Sequence, residues 1–381
     1  MNPTRRAVLR DRVQQAVDDG VWPAAQFAVA RHGEILAFES FGDARDGDRF
    51  CLFSATKPIV ASLVWQLVGA GSIAWETRVA EVWPEFGVHG KDTITLEQVL
   101  LHTGGFPNAT ISRDAVTSRD ERAAAMESWR LEWPPGSRYE YHATSAHWVL
   151  AEVVHRVTGQ DFRQALRARV LDPLGLDRLE LGVPVERQAD LKRVTATGAR
   201  SMEVLEALFG QPVDEAVLDA DSARTLSVAN DPELVAVGVP GAGAFSDAAG
   251  VALFYQELLH NTAGLWRPDI LATATGEIRN TFPDPIRAGA TAGRSVGLII
   301  AGPDDGAALK IPSLGIEVPL RPFGGAVSPR AFGHGGAGGQ SAWADPATGL
   351  SFCLLVNGMD RDLLGDVERH AAIEGQAAQW A

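Results

Sequence analysis

The hydrophobic period of this chain changes twice along its length. Apolar runs of strand length lie near the N-terminus, at residues 26–30 and 35–38, and again near the C-terminus, at 296–301, 340–344 and 350–357. Between about residues 95 and 180 the apolar positions instead recur at helical spacing. Strands at the two ends of a chain must meet in one layer if their apolar faces are to be buried, which leaves the helical middle as an insertion. The expected fold class is α/β in the broad sense (α+β), with a discontinuous α/β domain of residues 1–80 plus 240–381. The expected insertion is mainly α-helical and spans 81–239.

Within that frame, residues 4–19 have the polarity of an amphipathic helix, ended by Gly20-Val21-Trp22-Pro23. The two N-terminal runs read as a hairpin closed through Arg31-His32-Gly33-Glu34. A helix is expected from Ser54 onward, with Ile59, Val60, Leu63, Val64 and Leu67 on one face. Further helices are expected at 96–101, 121–129, 145–158, 162–170 and 363–380. Residues 182–231 are poorly periodic and are expected to hold long loops.

The 381 residues carry a formal net charge of −14 and no cluster of Lys or Arg, which argues against a nucleic-acid or anionic-membrane partner. The longest apolar runs, such as Ser351-Phe352-Cys353-Leu354-Leu355-Val356, fall far short of the ~20 residues of a membrane helix. No membrane span is expected. Asp11, Gln14, Gln15, Asp18 and Asp19 stand where a signal peptide would carry its apolar core, so a cytoplasmic location is expected. Two cysteines, Cys51 and Cys353, give no disulfide framework and read as free thiols.

The chemistry starts from Ser54 and Lys57. Three residues apart at the start of a helix, they share a face, so the lysine nitrogen can reach the serine hydroxyl. Pro58 lacks an amide hydrogen and is best tolerated in the first helical turn, which places the helix start at or just after Ser54. A lysine of ordinary pKa, ~10.4, is a poor base at neutral pH, so the pair needs burial or a neighbouring cation to be useful. In isolation the same residues fit a helix cap and a solvated lysine.

Four further stretches extend the pattern: Leu100-Leu101-His102-Thr103-Gly104-Gly105-Phe106, Pro134-Pro135-Gly136-Ser137-Arg138-Tyr139-Glu140-Tyr141, Pro240-Gly241-Ala242-Gly243-Ala244-Phe245-Ser246 and Gly333-His334-Gly335-Gly336-Ala337-Gly338-Gly339. With Phe53-Ser54-Ala55-Thr56-Lys57-Pro58 they stand in the order of the serine β-lactamase and penicillin-binding-protein superfamily, and the chain resembles its class C β-lactamase-like esterase branch (the family VIII carboxylesterase type). The resemblance implies a β-lactamase-like fold, an antiparallel sheet flanked by helices with an inserted all-α domain. It also implies a serine carboxylesterase with an acyl-enzyme at Ser54. Lys57 and Tyr141 would move the proton, and the amides of Ser54 and Ala337 would form the oxyanion hole. His334, Gly335 and Gly336 stand in place of the family's Lys-Thr-Gly, and Ala143 in place of the Asn of its Tyr-x-Asn motif, so efficient antibiotic hydrolysis is not expected. His334 fits a structural, substrate-orienting or proton-transfer role. Phe106, Trp133 and Phe245 flank the motifs and fit either a substrate pocket or the core.

Gly333-His334-Gly335-Gly336-Ala337-Gly338 also spells G-x-G-x-x-G, but a strand and turn follow it where a dinucleotide fold needs a helix. His142 and His147 lack metal-ligand spacing, and Cys51 has no adjacent base motif. No metal and no cofactor are expected. The expected partner is a small-molecule ester, and oligomeric state is left open. Amide hydrolysis, peptidase action, weak β-lactamase activity or acyl transfer on the same fold stay open, as does a non-catalytic binding protein.

Overall fold

The computed structural model describes residues 3–380. The strands that position the site are β1 (Ala24–Arg31), β2 (Glu34–Gly42), β3 (Phe50–Cys51), β4 (Glu180–Leu181), β5 (Ala244–Ser246), β6 (Ile299–Ile300), β7 (Phe332–Gly336), β8 (Gln340–Asp345) and β9 (Leu350–Val356). A six-stranded antiparallel sheet runs β2-β1-β9-β8-β7-β6, and a small sheet runs β3-β5-β4. The two ends of the chain meet as the hydrophobic pattern requires: β1 lies against β9, with Ala25 opposite Val356 and Arg31 opposite Leu350.

Both faces of the large sheet are covered, which explains why its central strands read as continuous apolar runs. Successive side chains of a strand point to opposite faces. Ala24, Ala28 and Ala30 of β1, with Cys353 and Leu355 of β9, enter the core shared with α2 (Thr56–Gly69), α3 (Ser145–Thr158) and α4 (Ala248–His260). The alternate residues Ala25, Phe27 and Val29, with Phe352, Leu354 and Val356, enter a second core. There they meet Leu9, Val13 and Ala16 of α1 (Pro3–Asp18), and Ile373 and Ala377 of α5 (Leu363–Ala378).

Three elements differ from expectation for local reasons. Only Ile299–Ile300 pairs with β7 out of the apolar run at 296–301, because Gly297 takes φ +110° against α2. A Cβ there would lie 2.4 Å from that of Ala61. The helix expected at 162–170 is α-helical over Phe162–Leu166 and then widens into a π turn, Arg167–Leu171. Residues 182–231 hold the helices Met202–Phe209 and Glu215–Asn230. The second of these buries only Ala229, so it has no apolar face to read. Among the described residues no helix is long and apolar enough to cross a membrane.

Candidate active site

Ser54 occupies a single 3-10 turn, Phe53–Ala55, between β3 and α2. Pro58 is the third residue of α2, where a missing amide hydrogen leaves no intrahelical bond unmade. The residue before Ser54, Phe53, has φ +44°, a left-handed conformation that costs an aromatic side chain of order 1–3 kcal/mol. Its ring is buried in a third core with Cys51 and Phe245, and that packing holds the turn in place.

Lys57 is 1% exposed. Its Nζ lies 2.7 Å from Ala143 O, 2.8 Å from Gly241 O and 3.2 Å from Ser54 Oγ. Burial, reinforced by the Arg294 charge, holds its pKa well below the ordinary lysine value. A neutral amine has two hydrogens and one lone pair. In that form the two carbonyls would take both hydrogens and leave the lone pair for the Ser54 O–H to donate into. This is the geometry of a general base. Gly241 keeps this cradle uncrowded, since a Cβ would lie 3.2 Å from Ala143 O and 3.3 Å from Nζ.

Tyr141 is placed by two glycine-rich stretches that bond to one another. Glu132 N–H donates to Gly105 O (2.8 Å), Gly136 N–H to Thr103 O (2.7 Å) and Glu140 N–H to His102 O (3.3 Å). His142 N–H donates to His102 Nδ1. Gly105, at φ +87°, allows this approach, because a Cβ would sit 2.3 Å from Trp133 O. The Tyr141 ring lies 4.9 Å from Lys57 Nζ and 4.9 Å from the Arg294 guanidinium. Its hydroxyl is sealed and has no partner in full hydrogen-bond geometry. Burial raises its pKa, while Arg294 and then Ser54 pull it down. Catalytic hydrogen bonds of an empty site are often long and tighten with substrate.

Arg294 joins the other half of the site. It is 8% exposed, donates from Nε to Tyr139 Oη (2.8 Å) and from Nη1 to His334 Nε2 (3.2 Å), and among the described residues it makes no ion pair. His334 spends its other nitrogen on Gly335 O, 2.6 Å away. Burial, then Arg294 and Lys57, depress its pKa strongly. The Gly335 carbonyl requires the ring hydrogen on Nδ1 and the Arg294 guanidinium requires the lone pair on Nε2, so both ring nitrogens of His334 are engaged and its orientation is fixed. His102 and His147 are likewise buried beside the site, and desolvation drives both well below the ordinary histidine range.

The structure brings Ser54, Lys57, Tyr141 and His334 together. Gly335 and Gly336 run along β7 beside the Ser54 turn, where a Cβ on Gly336 would lie 2.4 Å from Leu52 O, and Ala337 is exposed in the turn between β7 and β8. Phe106 and Phe245 are fully buried and Trp133 nearly so. Phe106 packs with Phe86, Trp129 and His142, so neither phenylalanine offers surface to a ligand in this structure. The Cys51 thiol is pushed up to about 12 by burial and is no nucleophile. Sequence reasoning missed Arg294, which stands in no motif. It had noted the Pro240–Ser246 stretch but not that its Gly241 carbonyl holds the lysine.

A helix-flanked antiparallel sheet with a serine, a buried lysine and a tyrosine at one end of the first core helix brings together the groups that acyl transfer on a serine uses. Residues 9–377 match the Beta-lactamase family, and the chain belongs to it. The chain is 28% identical over 319 residues to the protein named Esterase/beta-lactamase LipL of Mycobacterium tuberculosis, covering 80% of this chain and 68% of that one. Among solved structures, a penicillin-binding-protein homologue from Caulobacter crescentus superposes with a TM-score of 0.76 at 26% identity, over 98% of this chain and 97% of that one. A family VIII carboxylesterase superposes with a TM-score of 0.74 at 25% identity, over 98% of each chain.

Proposed function

We propose that this chain is a serine carboxylesterase that works through an acyl-enzyme at Ser54. The observation that carries the reading is the buried Lys57 Nζ, which lies 2.7 Å from Ala143 O, 2.8 Å from Gly241 O and 3.2 Å from Ser54 Oγ. The esterase names among its relatives support the substrate class.

In this reading Ser54 Oγ attacks the ester carbonyl and its proton passes to Lys57 Nζ. The amides of Ser54 and Ala337 hold the oxyanion. Collapse breaks the bond to the alcohol oxygen, which takes a proton from Tyr141, and Lys57 restores the tyrosine hydroxyl. Water then attacks the acyl carbon and gives its proton to Tyr141 Oη as the tyrosine passes its own to Lys57 Nζ; collapse breaks the bond to Ser54 Oγ, which takes the proton back from Lys57 and releases the acid. Arg294 stabilises the negative charge that the tyrosine oxygen carries in passing. Short-chain esters are the expected substrates, and the cytoplasm the expected compartment.

The test is labelling with a fluorophosphonate followed by peptide mass spectrometry, alongside turnover of a chromogenic acetate or butyrate ester. A stoichiometric adduct on Ser54, and loss of both label and turnover in Ser54→Ala, is the expected result. Full turnover in Ser54→Ala would falsify the proposal.

A further inference from the structure

The two proposed oxyanion donors come from different sheets: Ser54 follows β3, in the small sheet, and Ala337 lies in the turn between β7 and β8 of the large one. Stabilising a tetrahedral oxyanion needs both amides aimed at one point, and errors of about 1 Å in such positioning can cost on the order of 10²-fold in rate. Something must fix one segment against the other.

The side chain of Gln340 bridges them. Gln340 is the first residue of β8, 3% exposed, at the foot of the turn that carries Ala337. The backbone pairing of β8 with β9 ends at Ser341 opposite Leu354. Beyond it the Gln340 carboxamide takes the place of a peptide group. Its Oε1 accepts from Val356 N–H (3.0 Å) and its Nε2 donates to Val356 O (3.0 Å). The second Nε2 hydrogen goes to Cys51 O at 2.8 Å, three residues before Ser54. Both amide hydrogens and the carbonyl are thus spent on backbone, so the group has one orientation. The surrounding contacts leave little slack. A Cβ on Gly336 would lie 2.4 Å from Leu52 O and 3.0 Å from Gln340 Cβ, and one on Gly338 would lie 3.3 Å from the Phe53 ring.

We propose that Gln340 is a positioning residue for the oxyanion hole: it touches no reacting atom, but its carboxamide pins the strand leading to Ser54 against the turn presenting the Ala337 amide. The inference rests on the esterase reading of these two amides. Its distinguishing prediction concerns the carbonyl oxygen alone, because a well-formed hole discriminates between an ester and its thionoester, whose sulfur is larger and a poorer hydrogen-bond acceptor.

The experiment compares kcat/KM for an ester and the matching thionoester in the unmutated protein and in Gln340→Met, which keeps the volume and removes all three bonds. The oxygen-over-sulfur preference should fall on the order of tenfold, a fraction of the 10²–10³ that losing a whole oxyanion donor costs. The KM for the ester should change far less than kcat. Gln340→Leu, which likewise removes the bond to Cys51 O, should show a fall of the same order in that ratio and serves if the methionine variant does not fold. A variant in which both substrates slow equally, so that the ratio holds, would show Gln340 to be a structural residue only and would overturn the proposal. An unmutated protein that neither turns over the ester nor forms the Ser54 adduct would overturn the esterase reading and this inference with it.

Discussion

Two lysines are buried in this protein, and they differ in what surrounds them. Lys57 and Lys91 are 1% and 0% exposed, and each Nζ donates to two backbone carbonyls, Ala143 and Gly241 for the first, Glu127 and Trp129 for the second. At Lys91 the charge that opposes desolvation is the Glu127 carboxylate, itself held by Trp83 Nε1, and the pKa comes down only to about 8. At Lys57 the nearby charge is the Arg294 cation, which adds to desolvation. The third neighbour of Lys57 is a hydroxyl, and Lys91 has none. Desolvation is the largest influence on both lysines and is more complete at Lys57; the neighbouring charges widen the gap, since Arg294 lowers Lys57 further while Glu127 raises Lys91 against the smaller opposing effect of Arg130.

Exchanging each lysine for methionine tests this comparison most severely. Lys57→Met should lower kcat by on the order of 10³-fold or more, since in the proposed mechanism Lys57 activates the nucleophile. Lys91→Met should leave turnover per titrated active site unchanged and lower Tm, because two buried carbonyls lose their donors at ~1–3 kcal/mol each. Burst titration separates the two effects. Equal loss of turnover per active site in both variants would break the comparison.

Tyr141→Phe is expected to rank next, with kcat reduced roughly 10²- to 10⁴-fold, the range of general acid–base catalysis, and with Ser54 still labelled slowly by a fluorophosphonate. Retained kcat would remove Tyr141 from the proton path. A smaller and more specific effect is expected of Arg294→Gln. The guanidinium lowers the Lys57 pKa, so its loss raises it. Activity needs the neutral amine and appears above that pKa. The acidic limb of the kcat/KM profile should therefore move to higher pH in the variant, with activity lost at neutral pH and partly regained in alkali. An unmoved limb would mean that desolvation alone sets the charge of Lys57.

The difference between the lysines also marks how far the sequence could be read. Ser54 and Lys57 are legible because both lie within one helical turn, where spacing is geometry. Tyr141 became legible only through the order of the surrounding motifs, since its approach to Lys57 depends on Thr103 and Gly105 bonding to residues about thirty positions on. Arg294 was not legible. It reaches the site through tertiary packing, from a segment of isolated bridges such as Asn280 to Arg294, and it has no partner at fixed spacing. Gln340 looked like an ordinary strand residue, because a carboxamide that replaces a peptide group leaves no pattern. The sheet was legible at both ends of the chain for the opposite reason: its strands are covered on both faces and their composition says so, whereas the helix Glu215–Asn230 buries almost nothing and has no period to detect.

The smallest expected effect isolates Lys91 from catalysis altogether. Its folded-state pKa, about 8, lies below the ~10.4 of an unfolded lysine. Between those two values the unfolded chain binds more protons at this position than the folded one, so the linkage relation makes stability rise with pH across that window. Below pH 8 the side chain is protonated in both states and the contribution is flat. Tm measured from pH 8 to pH 10 should therefore carry an upward component in the unmutated protein that Lys91→Met lacks. Glu127→Gln should widen the window downward, because removing the carboxylate removes the influence that raises the Lys91 pKa. If Glu127→Gln leaves the window in place, the carboxylate does not set the charge of Lys91, and the contrast drawn with Arg294 at Lys57 fails on that side.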